Sequence, residues 1–285
     1  MRAAVRRAVL ALALCLNAAQ AQVDVSIESA DLSRGPGLML KGFWFEAAAS
    51  GPAPAVVLLH GCDGPYDTKG LLSVRTREYA ALLNRAGLHA LVLDSLTPRG
   101  EKQICTQRNR VRLITQAHRR LDALAALDWL AEKPEVDASR LGLLGWSHGG
   151  SAVLAVTNER HEDLAGGHRM PSFGVAFYPG CEAELRRGYE SHSRVLLLLG
   201  EADDWTPAAP CRRLAARAQG RTPEIESYPG AHHGFDSTLP VRLRADVPNG
   251  LNPGKGVHVG GNVQALQRSR ERLMRFLGEV TAPPR

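Results

Sequence analysis

Leu141-Gly142-Leu143-Leu144-Gly145-Trp146-Ser147-His148-Gly149-Gly150 is the stretch on which the reading of this chain turns. Arg140 to Leu144 has the character of a buried strand, and Gly145 to Gly150 turns sharply into a short helix that runs through Val156. A serine at such a junction is held in a strained backbone packed close to its neighbours, so small residues are needed on both sides. The pattern G-x-S-x-G is weak by itself in a chain with 28 glycines, where it can mark a glycine turn with an inert serine. Its position between a strand and a helix is what gives it weight.

Outward from that turn, short apolar runs alternate with helix-like segments. Strands are expected at Leu38 to Phe45, Ala55 to Leu59, His89 to Leu93, Ser172 to Tyr178, Arg194 to Leu199 and Pro223 to Tyr228. Helices are expected at Val74 to Ala86, at about 108–132, at Ala208 to Ala218 and at about 262–279. In the long helix, Val111, Ile114, Leu121, Leu124 and Leu127 share one face. Continuous apolar strands separated by helices imply an α/β protein with a mostly parallel central sheet and helices on both faces. Residues 159–171 are polar, and residues 236–261 are rich in Gly, Pro and Asn. The second stretch exceeds an ordinary connection and predicts a loop or flap over a site.

A serine hydroxyl needs a base beside it and a third group to orient that base. After the strand ending at Leu199 comes Gly200-Glu201-Ala202-Asp203-Asp204-Trp205-Thr206-Pro207, which supplies acids at a strand end. After the next strand comes Tyr228-Pro229-Gly230-Ala231-His232-His233-Gly234-Phe235, which supplies histidines. The residues alone leave Asp203 or Asp204, and His232 or His233, open. An oxyanion requires preorganised backbone donors. One is expected at His148, after the serine, and the other at Cys62 in the His60-Gly61-Cys62-Asp63-Gly64 loop, which could also be plain turn chemistry. No cofactor is required by this arrangement. His148, His232, His233 and His258 show no metal-ligand spacing, so a metal site is set aside.

The first 21 residues read as an export signal. Arg2, Arg6 and Arg7 precede an apolar run from Ala8 to Leu16, and Ala19-Gln20-Ala21 offers a cleavage site before Gln22. The run is short of the roughly 20 residues a spanning helix needs. A lipid anchor at Cys15 is disfavoured by the bulky Leu14 before it. These three arginines account for half of the formal charge of +6. What remains is too modest to argue for nucleic acid or an anionic membrane. Cys62, Cys105, Cys181 and Cys211 remain beyond the signal, and an oxidising compartment allows them three pairings. Cys62–Cys105 and Cys181–Cys211 are favoured, because each would join neighbouring loops on one edge of the sheet; four buried thiols are the alternative. Residues 22–285 are expected as one domain in the periplasm or secreted, with oligomeric state unreadable.

With these motifs placed, residues 40–280 resemble the dienelactone hydrolase family, through the HGCDG loop, LDSLTPRG at 93–100, GWSHGG, GEADDWTP and YPGAHHGFD. The resemblance implies an α/β-hydrolase fold. In the family pattern the acid lies three residues after the strand-terminal glycine, which selects Asp203, and the histidine directly precedes Gly-Phe, which selects His233. The namesakes carry cysteine at the elbow, where this chain has Ser147, and its HGCDG loop is closer to that of ordinary esterases. The expected activity is cleavage of a small ester or lactone, with peptidase, acyltransferase and non-catalytic binding protein as alternatives. Tyr66, Trp146, Trp205, Phe235 and the 236–261 loop are expected to wall the pocket. Arg99 is expected at the surface, or else facing a substrate carboxylate.

Overall fold

Ala53–Leu59 (β3) is apolar along its whole length because both of its faces are covered. Val57 and Leu59 point into one core, and Val56 and Leu58 into the other. The computed structural model describes residues 22–33, 35, 37–162 and 167–282. The other strands of the main sheet are β1 (Val23–Glu28), β2 (Met39–Phe45), β4 (His89–Asp94), β5 (Val136–Trp146), β6 (Phe173–Phe177), β8 (Arg194–Gly200) and β10 (Glu224–Tyr228). Two-residue strands β7 (Glu190–Ser191) and β9 (Gln219–Gly220) pair with each other outside it. The order of the eight main strands is β1-β2-β4-β3-β5-β6-β8-β10. Strand β2 runs antiparallel to both β1 and β4, and every other pairing is parallel. This is an α/β-hydrolase fold.

Helices α1 (Val74–Arg85) and α6 (Val263–Val280) cover one face, where Tyr79, Leu83, Leu273 and Phe276 meet Leu58, Leu144 and Leu196. Helices α2 (Gln116–Ala131), α3 (His148–Thr157) and α5 (Ala208–Arg217) cover the other, where Leu124, Leu127, Val153 and Leu214 meet Val57, Leu143 and Leu197. A short α4 (Glu182–Arg187) lies between α3 and α5 in the chain. Helix α2 starts later than its apolar spacing predicts. Thr115 and His118 close a capping box there, and Asn109–Val111 form a separate 3-10 turn that leaves Val111 exposed. The Asn249 side chain draws that turn away from the helix axis, donating to the Gln107 carbonyl and accepting from the Asn109 amide.

The 236–261 stretch is more ordered than a bare loop. Arg242–Arg244 (β11) pairs antiparallel with Val257–Val259 (β12). Both favoured disulfides are present, Cys62–Cys105 and Cys181–Cys211. Arg99 is neither at the surface nor in the lining of the two cavities that border Ser147. It is buried and bonds Asp122 through two nitrogens, at 2.8 Å each, and Asp31 at 2.8 Å. Among the described residues no helix is long and apolar enough to cross a membrane. The expected export signal lies outside the described residues.

Candidate active site

Strand β5 ends at Trp146 and helix α3 begins at His148, so Ser147 makes the whole turn between them, at φ 53° and ψ −115°. A non-glycine residue at positive φ is strained, and it persists only where its surroundings over-determine it. Here they do. The Ser147 amide donates to the Phe177 carbonyl at 2.9 Å, and its carbonyl accepts from Ser151 at 2.8 Å. The flanking glycines are demanded by space, since a Cβ on Gly145 would lie 2.3 Å from the Gly149 carbonyl oxygen and one on Gly149 would lie 2.0 Å from that of Leu59.

His233 brings Nε2 to 2.8 Å from Ser147 Oγ and Nδ1 to 2.8 Å from Asp203 Oδ2. The other carboxylate oxygen of Asp203 accepts from the Trp205 and Thr206 amides, both at 2.8 Å. Thr206 Oγ1 stands 3.0 Å from Asp203 Oδ2, from His233 Nδ1 and from the Tyr178 carbonyl. All three relay residues are buried, and the His233 ring lies between those of Trp205 and Tyr178, at 4.6 and 4.7 Å. The adjacent residues diverge from them: Asp204 bonds to His258, and His232 lies beside the His258 ring.

The HGCDG loop passes against the serine, for a Cβ on Gly61 would stand 3.7 Å from Ser147 Cβ. His60 fixes this loop from below. Its Nε2 accepts from the Ser95 amide at 3.4 Å, which leaves Nδ1 to donate to the Gly61 carbonyl at 2.6 Å. His148 accepts at Nδ1 from Arg119 at 3.1 Å. Burial first, then the neighbouring Arg119 cation, hold both imidazoles well below the ordinary histidine range, so both are neutral. Burial also lowers the Arg119 guanidinium, to about 10, so it stays charged at neutral pH.

Two cavities meet at Ser147. A wide one of about 540 Å³ is lined by Arg112, Glu182, Arg186 and Leu251, and a narrow one of about 170 Å³ by Arg75, Tyr178, Leu239 and Arg244. Cys62 and Trp205 border both, and His148 borders the wide one. Trp146 edges the narrow cavity, whereas Phe235 is wholly core and Tyr66 packs against Phe43.

Two residues essential to this geometry escaped the sequence reading. Thr206 touches both acid and histidine, and its signal was its place in GEADDWTP. Asp236 is buried and accepts from Trp146 Nε1 at 2.9 Å and from the Tyr178 hydroxyl at 2.6 Å. It directly follows the His-Gly-Phe run, yet nothing in the sequence says which way it points.

The dienelactone hydrolase family matches residues 40–281, and the chain belongs to that family. Membership makes it a hydrolase acting on ester bonds. Among its curated relatives is a probable 2-oxo-3-(5-oxofuran-2-ylidene)propanoate lactonase of a Bradyrhizobium species, 24% identical over 71% of this chain and 83% of the relative. An uncharacterised protein of Mycobacterium tuberculosis is 26% identical over 79% and 76% of the two chains. The fold is shared with the dienelactone hydrolase of Anabaena variabilis, at TM-score 0.62 and 19% identity over 92% of this chain and 99% of that one. It is shared too with a thermophilic esterase of Thermogutta terrifontis, at TM-score 0.58 and 17% identity over 91% and 96%.

Proposed function

We propose that the chain is an exported serine esterase or lactonase that works through Ser147, His233 and Asp203. The observation that carries this reading is the unbroken Ser147–His233–Asp203 hydrogen-bond relay, 2.8 Å at each step, whose serine faces two cavities. Ser147 Oγ attacks the carbonyl carbon while its proton passes to His233 Nε2. Asp203, held by three donors of its own turn, keeps the imidazole oriented and stabilises the cation that forms. The Cys62 and His148 amides receive the oxyanion. When the tetrahedral species collapses, His233 returns the proton to the leaving alkoxide, and water then cleaves the acyl-enzyme by the same route.

A neutral His148 accepts from Arg119 at Nδ1 and so carries its single ring proton on Nε2, adding no positive charge beside the amide donors. The wide cavity suits the larger half of a small ester and the narrow one its smaller half. Two disulfides accord with an oxidising compartment and with residues 1–21 as the export signal. Treatment with a fluorophosphonate, followed by peptide mapping, tests the reading. An adduct on Ser147 that is absent from Ser147→Ala and His233→Ala supports it. A folded protein that takes no adduct overturns it and favours a binding role for the same cavities.

A further inference from the structure

Asp204, His232 and His258 are not used by the relay, yet they converge beside it. One ligand atom from each lies within 4.8 Å of the other two. Among the described residues no other trio of histidine, cysteine or acidic side chains gathers in this way. Asp204 already reaches toward His258, accepting from its amide at 2.8 Å and lying 2.7 Å from its Nδ1. The rings of His232 and His258 are 5.4 Å apart. His232 Nδ1 is enclosed and has no hydrogen-bond partner among the described residues. A buried polar atom left unpaired calls for an explanation, and an ion at the site is one of the few available.

We propose that these three side chains bind a divalent transition metal of the zinc type. Two imidazoles and one carboxylate suit zinc, copper or nickel, whereas calcium and magnesium demand oxygen ligands. Tetrahedral zinc with bonds of about 2.1 Å sets its ligands about 3.4 Å apart. Side-chain rotations that move ligand atoms by about an ångström, opening the Asp204–His258 pair from 2.7 Å and drawing in the more distant contacts, reach that spacing, and solvent completes the shell. The ion takes the place of the hydrogen now linking Asp204 and His258, and the neutral His258 ring then carries its hydrogen on its other nitrogen.

The location gives the ion a structural consequence. Asp204 follows the relay's acid, His232 precedes its histidine, and His258 lies on β12. Strand β12 is already joined to the histidine turn by a bridge between His233 and Val259 and by Gly260 donating to the His233 carbonyl at 2.9 Å. Leu251 donates to the Asp204 carbonyl at 2.7 Å. Metal would therefore cross-link the 236–261 segment, which walls the narrow cavity, to both turns that carry the relay.

Titration of the EDTA-stripped full protein with zinc chloride, followed by calorimetry, tests this independently of catalysis. One equivalent should bind, with affinity at least about tenfold weaker in His258→Gln and in His232→Ala and unchanged in Ser147→Ala. His258 is half exposed on its strand, so that variant is expected to fold, as circular dichroism will report. Absence of stoichiometric uptake overturns the proposal. So does uptake that survives in folded His258→Gln, or magnesium binding with equal strength.

Discussion

The Ser147–His233–Asp203 relay and the Arg99–Asp31–Asp122 cluster are both buried, and they are built on opposite plans. The relay takes one residue from each of three turns at the ends of β5, β8 and β10, and its terminal hydroxyl opens onto two cavities. The Arg99 cluster takes one residue from the N-terminal segment, one from the turn after β4 and one from the middle of α2, and it is packed among protein atoms. Ser29 adds a hydroxyl that donates to Asp122 at 2.5 Å. Burial is the largest single influence on Asp31 and opposes its ionisation, but the hydrogen bonds from Arg99 and Ser33 and the Arg99 charge together outweigh it and hold the carboxyl below its ordinary range. One cluster turns a serine hydroxyl toward the cavities, and the other spends its polar groups on each other and on nearby backbone at Ser95 and Ser33, tying residues 29–33 to the sheet.

Substitutions should separate the two. Ser147→Ala should cut turnover of a nitrophenyl ester by at least about 10⁴-fold with little change in melting temperature, and Asp203→Asn should do nearly as much by misorienting His233. A loss below tenfold would mean that another nucleophile acts. Arg99→Met should invert the pattern. It leaves two buried carboxylates without their cation, a change that costs about 3–5 kcal/mol in comparable sites, while activity per folded molecule persists. Urea unfolding measures that loss, and a shift under about 1 kcal/mol would show that water reaches the cluster.

A smaller effect is expected from the disulfide that joins the loop before α4 to α5. Its two cysteines are 30 residues apart, and the chain-entropy estimate for such a loop is about 3.6 kcal/mol. The double Cys181→Ala, Cys211→Ala variant therefore should unfold at lower urea yet keep the relay's activity. Mild acid gives the most local test. His60 and His148 have depressed affinities for protons in the folded state, so their contribution is complete above the unfolded histidine value of about 6.5 and is lost as pH falls below it. Each can cost up to about 1.4 kcal/mol per pH unit. Amide exchange at pH 5 against pH 7 should therefore loosen the 60–64 loop before the Arg99 cluster. Equal loosening at both would show that the two histidines are not buried neutral.

The relay was legible because its chemistry constrains its surroundings. A serine in a strained turn needs glycines nearby, and the acid and histidine must lie at strand ends in chain order. Asp203 and Asp204 were separable only through the family pattern, since adjacent turn residues give no signal of direction. The Arg99 cluster had no such signature: its partners lie 68 and 23 residues away, and no spacing rule joins them. Strand β1 was missed although Val23, Val25 and Ile27 alternate with polar residues, because an edge strand with one wet face lacks the apolar run that marked the others. The start of α2 was misread because Val111 and Ile114 fit a helical face, whereas the chain at 107–109 is tied to Asn249, which is remote in sequence.

The amino-acid sequence by itself determined the parallel sheet, the sharp turn at Ser147 and the strand ends where acids and histidines lie, and it favoured the two cysteine pairs that form, because each follows from local periodicity, turn chemistry or neighbouring loops. Tertiary structure alone decided that Arg99 lies inside, that Asp236 braces Trp146 and Tyr178, and that Asp204, His232 and His258 meet beside the relay. Those arrangements depend on side-chain direction across distant segments. Direction is set when both faces of the sheet are packed, and no single stretch of sequence carries it.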